Sequence, residues 1–217
     1  VKDDKPHSDG IDITPADIFA HVAAGGDLCS TTALNIGEYT DLFSRYASEY
    51  DAVFHINIGS GFSSCYQNAC LAAEEFDNVY VIDSQNLSTG QGLVVLKACE
   101  LAQTCTDPKA AVEELRAFTP KVEASFLLDQ LKYMAKGGRC SAATALGANL
   151  LNLKPCLEVK NGKLGVVKKY RGPYAKCLAA YVKDRLADRE DIVRNELFLT
   201  YTPVNDECLK SVKDAID

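Results

Sequence analysis

The run that most limits what this chain can fold into is Ile56 to Ala69, which reads Ile-Asn-Ile-Gly-Ser-Gly-Phe-Ser-Ser-Cys-Tyr-Gln-Asn-Ala. Its first residues alternate apolar and polar as a strand does, a Gly/Ser cluster stops them, and a helical pattern follows. Strand, tight turn and helix start together aim backbone N–H groups and hydroxyls at one point, which is the geometry of an anion cradle. Three serines and no lysine lie in the run. An anion there would therefore be held by neutral donors and the positive end of the helix.

The surrounding pattern repeats the alternation. Ala52 to Ile58 and Asn78 to Asp83 read as strands, the second short and buried as parallel strands are. Helices are expected from Thr14-Pro15-Ala16-Asp17 to Ala23, from Asn35 or Gly37 onward, after Ser63, from the Ser84–Gly92 loop to Leu101, and from Asp107-Pro108 to Phe118. Strands alternating with helices imply βαβ units and a mostly parallel sheet. Past Pro120 the character changes. Val122 to Leu128 reads as a strand, Asp129 and Ser141 each cap a short helix, and Leu153–Val159, Asn161-Gly162 and Leu164–Lys168 make a hairpin. Helix is expected from Pro173 to Ala187, strand from Ile192 to Tyr201, and helix from Asn205. The fold class is thus α/β with two domains. Residues 1–121 form a mostly parallel α/β/α unit and 122–217 a second α/β unit with a mixed or antiparallel sheet.

Composition narrows the function. The formal net charge of −7 over 217 residues leaves no basic face for nucleic acid. No run of eighteen apolar residues exists, so no membrane span is expected. The nine cysteines contain no Cys-x-x-Cys pair, which argues against a zinc or redox motif and for reduced thiols in a cytoplasmic protein. The chain opens on polar residues without an initiator methionine or a secretion signal, and is expected to be a fragment lacking an opening strand and a closing segment.

Three readings compete for the Gly59 turn. Gly59-x-Gly61 after a strand, with Asp83 ending the next one, partly matches a dinucleotide fingerprint, but Ser64 stands where the third glycine belongs. A hydrolase elbow needs Gly-x-Ser-x-Gly, which Ile58-Gly59-Ser60-Gly61-Phe62 does not provide, and His55, mid-strand, reads as structural. The plainest reading is a tight turn with Ser63 as helix N-cap. Against it stands a second hydroxyl-rich turn, Thr31-Thr32-Ala33-Leu34-Asn35, also before a helix. In a parallel α/β sheet such turns line one edge, where ligands bind.

These residues carry a family resemblance. Thr31 to Asn35 is similar to the Thr-Ser-Gln-Pro-Ser of DegV proteins, and Ile58 to Ala69 to their Ile-Ser-Ser-x-Leu-Ser-Gly-Thr-Tyr-Gln-Ser-Ala. Asp83-Ser84 with Ser88-Thr89-Gly90-Gln91-Gly92 resembles their Asp-Ser and Ser-x-Gly-x-Gly. Leu131 to Cys140 resembles Leu-x-Tyr-Leu-x-x-Gly-Gly-Arg-Ile, and Leu151 to Leu157 resembles Leu-x-Ile-Lys-Pro-Ile-Leu. The family includes the fatty-acid-binding B subunits of bacterial fatty acid kinase.

The resemblance implies a bacterial lipid carrier, not an enzyme, holding a long-chain fatty acid between two domains and presenting it to a separate kinase subunit for acyl phosphate formation. It implies no other cofactor and no metal. The carboxylate would meet Thr31, Thr32 and Ser63 with help from Ser60, and Arg139 would hold the head region or dock the kinase. Phe62, Phe126, Leu128, Leu146 and Leu150 are the tunnel candidates. The alternative is a dinucleotide- or small-molecule-binding α/β enzyme using Gly59-x-Gly61 and Asp83. Ser64 and Cys65 replace the family's Gly-Thr, so any departure in head-group geometry should centre there.

Overall fold

The computed structural model describes residues 2–3, 5–130, 134, 153–193, 196–202 and 204–217. Helix α1 (Pro15–Ala23) and helix α2 (Ile36–Ala47) each open on a capping box. In the second, Asn35 Oδ1 accepts the Glu38 N–H at 3.0 Å while Glu38 Oε2 accepts the Asn35 N–H at 2.8 Å. Two otherwise orphaned backbone donors are thereby satisfied, which fixes where α2 begins.

Strand β1 (Val53–Asn57) leads through the Gly59 turn into α3 (Cys65–Ala73), and β2 (Val79–Asp83) then returns parallel to β1, with Asn57 opposite Asp83. Helices α4 (Ser88–Thr104) and α5 (Pro108–Phe118) follow, the latter capped by Asp107. Tyr39 and Phe43 of α2 pack with Ala69 and Ala72 of α3 and Val79 and Val81 of β2. Ile82 packs with Val94 and Ala98 of α4, Leu115 of α5 and Val122. Alternate residues of β2 therefore feed opposite cores, so helices cover both faces and the unit is layered α/β/α.

The second sheet is antiparallel. Strand β3 (Ala124–Leu127) pairs with β4 (Leu153–Lys160), which pairs with β5 (Lys163–Arg171). Asn161 and Gly162 join β4 to β5 with φ of 51° and 67°. Positive φ at both positions is the type I′ requirement that an Asn-Gly pair meets. Leu127, Cys156 and Tyr170 pack against Cys177 of α6 (Tyr174–Leu186). The Tyr174 and Tyr181 hydroxyls donate to the Leu127 and Ser125 carbonyls at 2.9 and 2.8 Å, tying α6 to β3. On the other face Leu157 is fully buried among Phe126, Leu128, Met134, Leu164 and Val166. Helix α7 (Asp206–Ile216) packs on α6.

Two sequence expectations need revision. The run 192–201 is not a strand at any described position. No described strand lies beside it to complete a ladder, and Val193, Leu197, Phe198, Leu199 and Tyr201 stand exposed. The helix expected to start after the 84–92 loop begins earlier, at Ser88. The short helices expected after Asp129 and Ser141 fall almost wholly outside the described residues.

Candidate functional site

The Gly59 turn is pinned by Asp83. Asp83 Oδ2 accepts the Ser60 hydroxyl at 2.6 Å, and Oδ1 accepts the backbone N–H groups of Ser60 at 3.1 Å and Gln85 at 2.8 Å. Phe62 N–H closes the turn on the Gly59 carbonyl at 2.9 Å. A Cβ on Gly59 would approach Asn86 N to 2.9 Å, and one on Gly61 would overlap the Gly162 carbonyl oxygen. Both glycines are thus required by close backbone approach. The second places the tip of the β4–β5 hairpin against the turn.

Ser63 comes next. Its hydroxyl oxygen accepts the Cys65 N–H at 3.2 Å and its hydroxyl donates to Cys65 Sγ at 3.0 Å. The N-cap position itself is Ser64, whose side chain makes no capping bond. Ser63 therefore performs the capping expected of it from one residue earlier.

The two hydroxyl-rich turns meet. Asn68 Nδ2 on α3 donates to the Leu34 carbonyl at 2.6 Å, tying α3 to the turn that precedes α2. Tyr39, buried on α2, accepts from Asn57 Nδ2 at 3.2 Å. Asn57 Nδ2 reaches His55 Nε2 at 3.1 Å. One polar chain runs His55, Asn57, Tyr39, and a separate pair joins Ser63 to Cys65. Burial pushes the Cys65 thiol up, but the Ser63 hydroxyl bond and the polar groups of Tyr39 and Leu34 nearby outweigh it and hold the thiol below its ordinary value. Burial carries the Tyr39 phenol up to about 12 and pulls His55 down.

The expected site residues divide accordingly. Thr31 and Thr32 are exposed on the first turn, and no hydrogen bond to either hydroxyl occurs among the described residues. Ser63 faces the same junction through Cys65. Ser60 points the other way, its hydroxyl committed to Asp83. Asp83 is likewise committed, accepting three hydrogen bonds within the turn, so the arrangement does not favour the dinucleotide alternative, which needs that carboxylate for a ribose. Phe62 is buried within the turn, while Phe126 and Leu128 lie with Leu157 on one face of the antiparallel sheet. Arg139, Leu146 and Leu150 lie outside the described residues. Cys65 was not among the expected site residues. Its signal was available in the replacement of the family's Gly-Thr by Ser64-Cys65 at the first turn of a helix.

A cavity of about 540 Å³ is lined by Asp129, Lys154, Arg171, Gly172, Pro173 and Tyr174. It opens at the end of β4 and β5 away from the Asn161-Gly162 tip, and an ion pair between Lys154 and Asp129 crosses it. Three of its six lining residues, Asp129, Lys154 and Arg171, are charged, which does not suit an acyl chain. Among the described residues no helix is long and apolar enough to cross a membrane.

Comparison with known proteins decides the family. The DegV model, described as "Uncharacterised protein, DegV family", matches residues 1–217. The chain belongs to the DegV family. A DegV domain-containing protein from Clostridium acetobutylicum is 32% identical over 189 residues, 86% of this chain and 67% of that protein. Protein DegV of Bacillus subtilis is 31% identical over 171 residues, 77% of this chain and 61% of its own length. Among solved structures, a DegV family protein from Thermus thermophilus described for its fatty acid binding superposes with a TM-score of 0.76 at 29% identity, covering 85% of this chain and 65% of that one. The fatty acid binding protein DegV from Bacillus subtilis gives 0.70 at 27% identity, covering 85% and 67%. The chain thus spans about two thirds of the length of the relatives it matches.

Proposed function

We propose that this DegV chain binds a long-chain fatty acid, with the carboxylate at the junction of the Thr31-Thr32 and Ser63 turns. The acyl chain would run toward the apolar face formed by Phe126, Leu128, Leu157, Leu164 and Val166. The observation that supports the reading is the bond from Asn68 of α3 to the Leu34 carbonyl, which ties the helix after Ser63 to the turn bearing Thr31 and Thr32, in a fold whose solved relatives include fatty acid binding proteins. A carboxylate placed there gains hydroxyl donors and two helix N-termini without a buried lysine. The hairpin tip packs on Gly61, so a tail leaving that turn would pass onto the second sheet.

The chain's part would be that of a cytoplasmic bacterial carrier. It would expose the bound carboxylate to a separate kinase, which supplies ATP chemistry and forms the acyl phosphate. Native mass spectrometry of the purified protein tests the binding step. A co-purified mass of fatty acid size, exchangeable for added oleate, is expected; protein without lipid that takes up none, or a bound nucleotide mass, overturns the reading. The presentation step is tested by trapping acyl phosphate with hydroxylamine. Oleate-loaded protein with ATP should yield hydroxamate only when a fatty acid kinase catalytic subunit is added, and product from the chain alone would contradict the carrier role.

A further inference from the structure

The hairpin of β4 and β5 is basic in a chain whose formal net charge is −7. Its single acid, Glu158, pairs with Arg185 of α6 at 2.6 Å, and two of its cations are committed as well, Lys154 to Asp129 and Lys168 to Asp184. Lys160 and Lys163 are different. They stand directly opposite each other across the Asn161-Gly162 turn, both exposed, and among the described residues no carboxylate pairs with either. Like charges facing each other across a hairpin destabilise it. The type I′ turn requires the Asn-Gly pair but makes no demand for a cation on either side of it.

Their place in the fold gives the two lysines a use. The hairpin tip packs on Gly61, where a methyl group would meet Lys163 Cγ at 3.8 Å as well as the Gly162 carbonyl oxygen. Gly61 lies in the same turn as Ser63, the hydroxyl proposed above to hold a carboxylate. Strand alternation puts Leu157, Leu164 and Val166 on one face of the hairpin and Lys160 and Lys163 on the other. The pair thus stands at the head-group turn and off the face proposed for the acyl chain. We propose that Lys160 and Lys163 form an anion-capture site that draws the carboxylate of a free fatty acid toward the Gly59 turn, speeding its association without holding it once bound. The inference rests on the fatty acid reading of that turn. Neutral hydroxyls attract a carboxylate only near contact, and a surface of net negative charge repels it on approach. Two ammonium groups act over about 8 Å, the screening length at physiological salt.

Stopped-flow binding of cis-parinarate, a fluorescent fatty acid, reads association and dissociation separately. At about 20 mM salt the Lys160→Gln/Lys163→Gln double variant should associate about three- to tenfold more slowly than the parent, and at about 500 mM salt the two should converge, because bulk ions screen exposed charges. Dissociation should stay within about twofold of the parent. Lys160→Arg/Lys163→Arg, which keeps both charges, should keep the parent's rate at either salt. The urea midpoint of the glutamine variant should not fall, since the contact removed is repulsive. Equal association at low salt, or a gap that persists at high salt, overturns capture while leaving the binding reading in place; the persistent gap would assign the effect to packing at Gly61. Failure of the parent to bind cis-parinarate at all removes the binding reading and the capture site with it.

Discussion

Asp83 accepts the Ser60 hydroxyl at 2.6 Å across 23 residues of sequence, joining the end of β2 to the turn that leaves β1. Two more donors, the N–H groups of Ser60 and Gln85, converge on the same carboxylate. Asp83 thus shapes the turn that presents Ser63 without itself reaching the junction. Asp83→Ala should cost about 1–3 kcal/mol by leaving these donors unpaired. Ser60→Ala should cost less, and the double variant less than the sum, with a coupling of about 0.5 kcal/mol or more. Urea denaturation of the four proteins measures the cycle, and additive effects would show that the bond contributes nothing of its own.

Ser63 has two duties, and one substitution separates them. Its oxygen accepts the Cys65 N–H, so Ser63→Ala should lower stability by about 0.5–2 kcal/mol, as other lost caps do. If it also holds the carboxylate, oleate affinity should fall by about tenfold, the worth of one charge-assisted hydrogen bond. Titration calorimetry with oleate beside thermal melts distinguishes these. Lower stability with unchanged affinity would leave Ser63 a helix cap only.

What could be read in the sequence was what neighbouring residues decide. Asn35 with Glu38 marks the start of α2, and Asn161-Gly162 marks the hairpin, because each depends on residues within four positions. The Gly59 turn was legible as a strand-to-helix connection for the same reason. Its long-range partners were not. Nothing local says that Ser60 turns to Asp83 rather than to a ligand, or that the Tyr39 hydroxyl of α2 receives the Asn57 amide of β1. The run 192–201 was misread for a related reason. Leu197, Leu199 and Tyr201 alternate as strand residues do, yet a strand exists only beside a partner that offers its backbone groups.

His55 gives the fold a pH dependence of definite sign. Burial lowers its folded pKa below the ordinary 6.5, its ring lying against Tyr39 and Phe43 while Nε2 meets Asn57. The unfolded chain therefore binds more protons than the folded one once pH falls below 6.5. The stability contributed by neutral His55 is complete above that pH and is lost as pH drops through it. His55→Gln, which keeps an acceptor for Asn57 but cannot titrate, should flatten the urea midpoint between pH 6.5 and about 5, above the range where carboxylates protonate. An unchanged slope would assign the effect to other groups.

Gly61 connects the two sheets and offers the most direct test of their arrangement. Its backbone lies so close to the hairpin tip that a methyl group would overlap the Gly162 carbonyl oxygen. Gly162 holds a φ of 67° and follows Asn161 at 51°, so the tip cannot yield by rotating one residue without breaking the type I′ turn. Backbone, unlike the far end of a long side chain, has no cheap route aside. Gly61→Ala should therefore push the hairpin away from the turn, costing about 1–3 kcal/mol, the usual range for overpacking. A change at Gly165, where a methyl group meets nothing within 4 Å, should cost less. Because Leu164 and Val166 of that hairpin belong to the apolar face proposed for the acyl chain, Gly61→Ala should also weaken oleate binding while Gly165→Ala leaves it closer to the parent. Equal stability and equal affinity in both variants would mean that the Gly61–Gly162 approach does not hold the two sheets together.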